Sequence, residues 1–257
     1  MRVVFLGTGT SHGVPMIGCE CAVCLSSDPR DSRTRTSVVV ETALGATILV
    51  DTSPDLRTQA LTRGVRRLDA ILYTHAHADH VAGLDDVRRF NVTSGHPIPV
   101  YADASTLDEI RLRFGYAFDP RTAQGGGIPD LRLWTIAGAF GIGGQHIEPI
   151  PILHGQRPIL GFRFGAFAYL TDCSGVPPSS IALLRGLDVL VLDALRRRPH
   201  PTHFSVDQAV EMAQAIGAGR TYFTHIAHDL GHLETCARLP PTMSLAYDGL
   251  ELEIGDQ

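Results

Sequence analysis

The feature that most constrains this chain is a dense cluster of metal-capable side chains, His-Ala-His-Ala-Asp-His, at residues 75–80. It follows directly on a short apolar run that is typical of a buried strand. In an extended segment, side chains two residues apart point the same way, so His75 and His77 can converge on one metal ion. The chain then turns, which lets Asp79 and His80 face a second ion. Imidazole nitrogens with a carboxylate oxygen suit zinc, manganese or iron rather than calcium.

Three more metal-capable side chains stand where strand-like runs end. They are His154, Asp172 and His225, and they belong to a chain that holds twelve histidines. Strands that end at one rim of a sheet can assemble a site from such residues. Asp172 has a second interpretation, as the cap of a turn at 174–175. Together with the histidine block, these residues predict a metal site built at one rim of a sheet.

A second cluster consists of cysteines, Cys-Glu-Cys-Ala-Val-Cys at residues 19–24. The spacing is poor for disulfides among Cys19, Cys21 and Cys24, but it suits three thiolates around one zinc ion. His228 is the candidate fourth ligand, because it lies three residues beyond the last candidate ligand of the histidine site. The alternative is a loop of three free thiols.

The remaining pattern predicts one α/β (α+β) domain over residues 1–257, with two sheets and helices on their outer faces. No repeat or linker divides the chain. We predict helices over 56–63, 105–113, 179–185 and 206–216, and a glycine-rich loop at Gln124–Gly127. Ser205 followed by Gln208 is a capping-box start for the helix at 206–216. Strands are predicted at 3–6, 37–41, 47–51, 70–73, 99–101, 134–136, 146–152, 160–164, 167–170, 189–192, 220–223 and 250–254.

Charge and hydropathy narrow the classes of function. The formal net charge is −5, which argues against a surface that grips extended nucleic acid along its whole length. No apolar run approaches the roughly 18 residues of a membrane span. The N-terminal run reaches Gly7 and Gly9 too soon for a signal-peptide core, so we predict a cytoplasmic protein without a membrane partner.

The order of these residues resembles the metallo-β-lactamase superfamily over almost the whole chain. That resemblance implies an αββα four-layer sandwich, with a metal-bridged hydroxide as nucleophile. It also implies that Asp51 orients the site by accepting hydrogen bonds. The implied ligands are His75, His77 and His154 for one metal, Asp79, His80 and His225 for the other, and Asp172 between them.

Further motifs resemble the cyclic phosphoribosyl phosphodiesterase branch. They are Gly13-Val14-Pro15, the cysteine loop, and the His-x-x-His at 225–228. This resemblance implies a structural zinc, two catalytic divalent ions (manganese or zinc), and a small cyclic phosphodiester as substrate. It implies that His203 is a general acid or phosphate ligand, and by analogy it implies a homodimer. His200, which lies nearby in the sequence, is the alternative to His203 for this role. Catalysis would then rest on His203, Asp79 and Asp172.

Two features belong to no motif of that branch. His12 and the basic run Arg196–Arg198 either form a solvated surface or contact a substrate phosphate.

Several other functions are compatible with the histidine block. A tRNA 3′-processing nuclease of the bacterial type inserts a long basic arm between the ligands equivalent to His154 and Asp172, which lie only 18 residues apart here. Glyoxalase-type thioester or lactone hydrolases add a helical C-terminal domain, whereas this chain stops soon after Gly249. Flavodiiron proteins place Glu where His77 stands. We therefore predict a metal-dependent phosphodiesterase, with a carboxyl-ester, thioester or lactone hydrolase, or a tRNA 3′-processing-type nuclease, as the alternative.

Overall fold

Two seven-stranded sheets form the framework of the protein. The computed structural model describes residues 1–119, 121–122 and 127–255. The first sheet has the strand order β14-β1-β2-β3-β4-β5-β6. Its strands are β1 (Arg2–Gly7), β2 (Ser37–Glu41), β3 (Thr47–Val50), β4 (Ala70–Leu72), β5 (Ile98–Ala102), β6 (Leu131–Thr135) and β14 (Glu251–Glu253).

The second sheet has the order β13-β12-β11-β10-β9-β8-β7. Its strands are β7 (Phe140–Ile142), β8 (Gln145–His154), β9 (Arg157–Phe164), β10 (Phe167–Leu170), β11 (Val189–Asp193), β12 (Arg220–Thr224) and β13 (Met243–Leu245). Strands β3 to β6 are parallel in the first sheet, and β10 to β13 are parallel in the second. The carboxyl ends of parallel strands lie at one edge of a sheet. Candidate ligands follow the carboxyl ends of β4, β10 and β12.

Helices connect the strands. They are α1 (Leu56–Arg63), α2 (Ala78–Val81), α3 (Arg88–Ser94), α4 (Ala104–Arg113), α5 (Pro178–Leu183), α6 (Val206–Ile216) and α7 (His232–Cys236). Short 3₁₀ helices lie at Pro29–Asp31, Leu84–Val87 and Gly115–Ala117. No helix in the described ranges is long and apolar enough to cross a membrane.

Three buried clusters show how the layers stack. Alternate residues of one strand enter different clusters, because side chains point to opposite faces with a period of two. In β1, Val3 and Phe5 pack between the two sheets, whereas Val4 and Leu6 pack under α1, α3 and α4. The second sheet packs its outer face against α6 in the same way, through residues such as Ala209. The four layers confirm the predicted αββα sandwich.

The sequence located most of these elements. Helices α1 and α6 have the predicted bounds, and the capping box at Ser205 and Gln208 is present. Helix α5 lies at 178–183 where 179–185 was predicted. Helices α2, α3 and α7 and strands β7 and β13 were not predicted, because each is short and its apolar residues show no clear period. The predicted loop at Gln124–Gly127 lies outside the described residues except for its last glycine, and the single domain stays a prediction.

Candidate metal centre

The histidine block begins just beyond the carboxyl end of β4. His75 lies three residues after the last residue of β4, and His77 is the N-cap residue of α2. His80 lies inside α2 and is completely buried. The backbone between His75 and His77 is stabilised by Arg113, whose guanidinium donates a hydrogen bond to the carbonyl oxygen of Ala76 at 2.6 Å. Extended chain followed by one helical turn therefore aims the four side chains at a common space.

Backbone strain marks three other candidate residues. Among the described non-glycine residues, those with positive φ are Asp51 (63°), Asp172 (55°) and His225 (59°). Each comes within two residues of the end of a parallel strand, β3, β10 or β12. A side chain at positive φ costs on the order of 1–3 kcal/mol, and such residues cluster at functional sites. The fold therefore holds these three side chains in place against a local energetic cost.

The structure brings the predicted ligands into two adjoining groups. One contains His75, His77, His154 and Asp172, and the other contains Asp79, His80, Asp172 and His225. Within each group the candidate ligand atoms all lie within 4.8 Å of one another.

Asp172 is common to both groups. Its Oδ1 lies 3.1 Å from Nε2 of His80, and its Oδ2 lies 3.4 Å from Nε2 of His225 and 3.8 Å from Nε2 of His75. Asp79 completes the second group, with Oδ2 3.4 Å from Nε2 of His80 and 3.6 Å from Nε2 of His225. A carboxylate shared between two ligand groups can offer one oxygen atom to each group.

Unsatisfied nitrogen atoms show that these residues fit metal ions. The Nε2 atoms of His75, His80 and His225 are buried and make no hydrogen bond to any described residue. A buried polar atom without a partner costs about 1–3 kcal/mol, so such atoms are rare without a ligand. The opposite ring nitrogens of His75 and His80 have partners: Nδ1 of His75 lies 3.0 Å from Oγ1 of Thr74, and Nδ1 of His80 lies 2.7 Å from Oδ2 of Asp51. The free nitrogens therefore face the shared space.

Asp51 lies behind this site and orients it. The carboxylate is completely buried and accepts hydrogen bonds from Thr74 N (2.9 Å), Thr74 Oγ1 (2.8 Å) and His80 Nδ1 (2.7 Å). When Nδ1 of His80 donates a proton to this hydrogen bond, Nε2 is the nitrogen left to bind a metal ion. These contacts fit the orienting role that the resemblance implies, and that role stays a prediction.

The buried groups are strongly coupled electrostatically. Burial favours the neutral carboxyl of Asp172, but the imidazoles of His225 and His80 outweigh it and hold its pKa well below the usual range. Burial opposes charge on His80 and His225, yet the carboxylates around them raise the pKa of His80 well above its usual value and that of His225 to about 9. Burial lowers the pKa of His75 well below 6.5 and that of His154 to about 4. The carboxylates of the site thus favour positive charge on His80 and His225, whereas His75 and His154 stay neutral.

Asp193 is a site residue that the sequence analysis missed. It is the last residue of β11 and is completely buried. Its Oδ2 lies 2.7 Å from Nδ1 of His203 and accepts a hydrogen bond from Cys173 N at 3.1 Å. An acidic residue at the end of an apolar run is the signal that identified Asp172, and it could have identified Asp193 as well.

His203 lies closer to the ligand groups than its competitor does. Its ring centroid is 4.7 Å from that of His225, nearly parallel to it, and 4.7 Å from that of His154. His200 lies 5.1 Å beyond His203, and its Nδ1 lies 3.2 Å from the hydroxyl oxygen of Thr202. The structure therefore brings His203 to the edge of the site.

The cysteine loop forms a second, separate group. The Nδ1 atom of His228 lies 3.2, 3.4 and 3.6 Å from the Sγ atoms of Cys19, Cys21 and Cys24, respectively. The hydrogen bond from Cys24 N lowers the pKa of the Cys21 thiol to about 6. All three cysteines are free thiols. Three sulfur atoms around one imidazole nitrogen are a donor set that fits a tetrahedral zinc ion.

With this geometry established, comparisons place the protein in a family. The model of the beta-lactamase superfamily domain matches residues 46–226. The chain belongs to the metallo-β-lactamase superfamily. Within the superfamily it is close to the PhnP branch, because a crystal structure of "a new diphosphatase from the PhnP family" is 46% identical and superimposes with a TM-score of 0.92. That alignment covers 99% of this chain and 98% of the diphosphatase.

Three other proteins that are similar to this chain carry different names. Octanoyltransferase of Porphyromonas gingivalis is 41% identical over 261 residues, which is 100% of this chain but 52% of that protein, so the chain spans about half its length. Coenzyme PQQ synthesis protein B of Methylobacterium radiotolerans is 33% identical over 304 residues, covering 99% of this chain and 100% of the relative. The human short-form tRNase Z, at 20% identity and a TM-score of 0.71 over 99% of this chain and 100% of the tRNase Z chain, shares the fold.

Proposed function

We propose that this protein is a metal-dependent phosphodiesterase that opens small cyclic phosphodiesters. The observation that carries the proposal is the pair of ligand groups sharing Asp172. The similar diphosphatase of the PhnP family supports phosphate ester chemistry. The natural substrate would be a small molecule, and extended nucleic acid is not expected.

The first ligand group would hold one divalent ion through His75, His77 and His154, and the second would hold another through Asp79, His80 and His225. Asp172 would bind both. Bound manganese or zinc ions of this kind act as Lewis acids and lower the pKa of water toward neutrality. Asp51 would keep Nε2 of His80 directed at its ion by accepting a hydrogen bond from Nδ1–H.

His203 and Asp193 would handle the leaving-group proton. With Nδ1–H of His203 donating a hydrogen bond to the carboxylate of Asp193, the second proton of the imidazolium form would reside on Nε2 and would be the one transferred. Burial raises the pKa of Asp193, although the nearby imidazole of His203 opposes this. The pair would donate the Nε2 proton to the leaving oxygen as the bond from phosphorus to that oxygen breaks.

The cysteine group would hold a structural zinc through Cys19, Cys21, Cys24 and His228. A closed set of four ligands leaves no position for substrate, so the ion would contribute folding free energy rather than chemistry. His228 follows His225 by three residues, so the zinc loop would brace the loop that carries a catalytic ligand.

A second candidate is acyl thioester hydrolysis. The relative that this chain half-covers is named an octanoyltransferase, which is a reason to test an octanoyl thioester. A Lewis-acidic pair of ions also activates carbonyl groups. The same variants therefore need to be assayed on both classes of substrate.

The test is turnover by protein reconstituted with Mn²⁺ or Zn²⁺. We expect hydrolysis of bis(p-nitrophenyl) phosphate and of adenosine 2′,3′-cyclic phosphate, and no release of thiol from octanoyl-coenzyme A. His77→Ala should abolish turnover, whereas His146→Ala, on an exposed histidine of β8, should not. Thioester hydrolysis without phosphodiester turnover would overturn the proposal.

A further inference from the structure

A cavity of about 420 Å³ lies between α1 and α3, and none of the residues that line it belongs to the two groups of candidate metal ligands. We call this cavity the α1–α3 groove. Pockets that bind small molecules have volumes of about 300–1,000 Å³ and are mostly apolar. The apolar residues that line the α1–α3 groove are Leu56, Ala60, Leu61, Val65 and Phe90. The groove is therefore large enough, and apolar enough, for a small ligand.

The floor of the α1–α3 groove is already packed into the protein. Leu56 is 2% exposed and Phe90 is 9% exposed, and both belong to the buried cluster between the first sheet and its helices. Leu61 also lines the groove and is 67% exposed. An acyl chain laid along this floor would leave water and would cover Leu61, and each buried methylene group would stabilise the bound state.

The charged residues that line the α1–α3 groove are mostly arginines, and they are Arg57, Arg88 and Arg89, with the carboxylate of Asp86. Arg88 forms an ion pair with Asp85. Arg57 and Arg89 are exposed, and their guanidinium groups make no hydrogen bond or ion pair with any residue in the described ranges. Two unpaired guanidinium groups against one carboxylate give the groove a net positive charge, although the whole chain has a formal net charge of −5.

The combination of apolar walls and unpaired guanidinium groups defines the chemistry of a ligand. A guanidinium group presents a planar set of N–H donors that matches a carboxylate. An exposed arginine by itself is usually only solvated, and an apolar recess by itself does not select a charge. Here the two features share one cavity. A ligand that satisfies both has an apolar chain and an anionic head group.

We infer that the α1–α3 groove binds a free medium-chain fatty acid, with the acyl chain along Leu56 and Phe90 and the carboxylate held by Arg57 and Arg89. A second copy of this chain fits the surface poorly, because a two-fold interface sets the same patch against itself and would bring these arginines face to face. A membrane surface also fits poorly, because binding there depends on apolar side chains that project from the protein, whereas these line a recess. The groove is a binding site additional to the proposed phosphodiesterase site.

The test is a titration of the metal-loaded protein with octanoate and with decanoate, followed by the NMR shifts of the backbone amides. We expect octanoate to bind with a dissociation constant of roughly 1–10 mM, as the usual binding free energy per atom of a small ligand implies. Decanoate should bind about tenfold more tightly, because two more methylene groups leave water. Decyltrimethylammonium has the same chain with a cationic head group, and it should bind about tenfold more weakly than decanoate.

The double variant Arg57→Gln/Arg89→Gln should weaken decanoate binding about tenfold and remove the preference over decyltrimethylammonium. The matched control is Arg220→Gln, on an exposed arginine of β12 that likewise has no side-chain partner among the described residues, and it should leave binding unchanged. Equal binding of the two decyl compounds by the unmodified protein, or amide shifts that lie outside α1 and α3, would overturn the inference.

Two other results would assign the α1–α3 groove to a different occupant and would also overturn the inference. One is a dimer in sedimentation equilibrium that Leu61→Arg dissociates. The other is binding to anionic phospholipid vesicles that the double variant loses, with no shift caused by octanoate or decanoate. Because binding is measured rather than turnover, each of these results is independent of the proposed function.

Discussion

The orienting role of Asp51 gives the sharpest test of the metal site. Asp51→Asn keeps the size of the side chain, and asparagine tolerates the positive φ of 63° at this position. An amide offers one oxygen and one NH₂ group, so it cannot accept all three hydrogen bonds that the carboxylate accepts from Thr74 and His80. At least one buried donor therefore loses its acceptor.

The magnitude follows from that loss. One unpaired buried donor costs about 1–3 kcal/mol, and replacing the orienting partner of a metal-binding histidine weakens metal affinity or activity about 10- to 100-fold. Tenfold corresponds to about 1.4 kcal/mol, so the two ranges agree. We expect the metal dissociation constant to rise by one to two orders of magnitude, measured by competition with a chromophoric chelator.

Asp248 offers a matched control. Its partly buried carboxylate also accepts three hydrogen bonds, from Thr8 Oγ1, Thr34 N and Thr34 Oγ1, and none of these donors belongs to a candidate metal ligand or its neighbour Thr74. Asp248→Asn should lower the thermal unfolding temperature to a similar extent without changing metal affinity. Equal metal affinity in Asp51→Asn and the unmodified protein would refute the reasoning.

Four other predictions concern stability and metal content. Elemental analysis should find three ions per chain, and treatment with a strong chelator should lower Tm by removing ligand-linked stability. Cys21→Ser should reduce zinc content by one ion and lower Tm while turnover per folded molecule is retained. Ser205→Ala removes the N-cap of α6 and should cost about 1 kcal/mol, a fall in Tm of roughly 2–4 °C in a thermal melt. Burial and the nearby charge of Arg33 lower the pKa of His232 to about 4. The unfolded chain therefore binds a proton at His232 more readily than the folded protein, so the free energy of unfolding falls as the pH falls from 6.5 to 4. His232→Gln should reduce this dependence on pH, measured by urea unfolding.

The sequence by itself determined the elements whose signals are local. A run of β-branched and aromatic residues that ends in Gly-Thr-Gly predicted β1, and the capping residue at 205 predicted the start of α6. The histidine block is equally local, because ligands that lie within six residues need only a strand end and one turn to converge. For this reason the ligand types and the fold class could be predicted without coordinates.

Only the tertiary structure decided which distant groups meet. The pairing of Asp193 with His203 joins the end of β11 to a loop ten residues later, and no pattern in the sequence specifies that contact. The separate environments of Arg197 and Arg198 likewise depend on where α7 and the loop at 227–229 pack. Local sequence determines whether a segment forms a helix or a strand and where that element ends. Contacts between distant loops depend instead on how the two sheets pack, and no short segment of sequence encodes that packing.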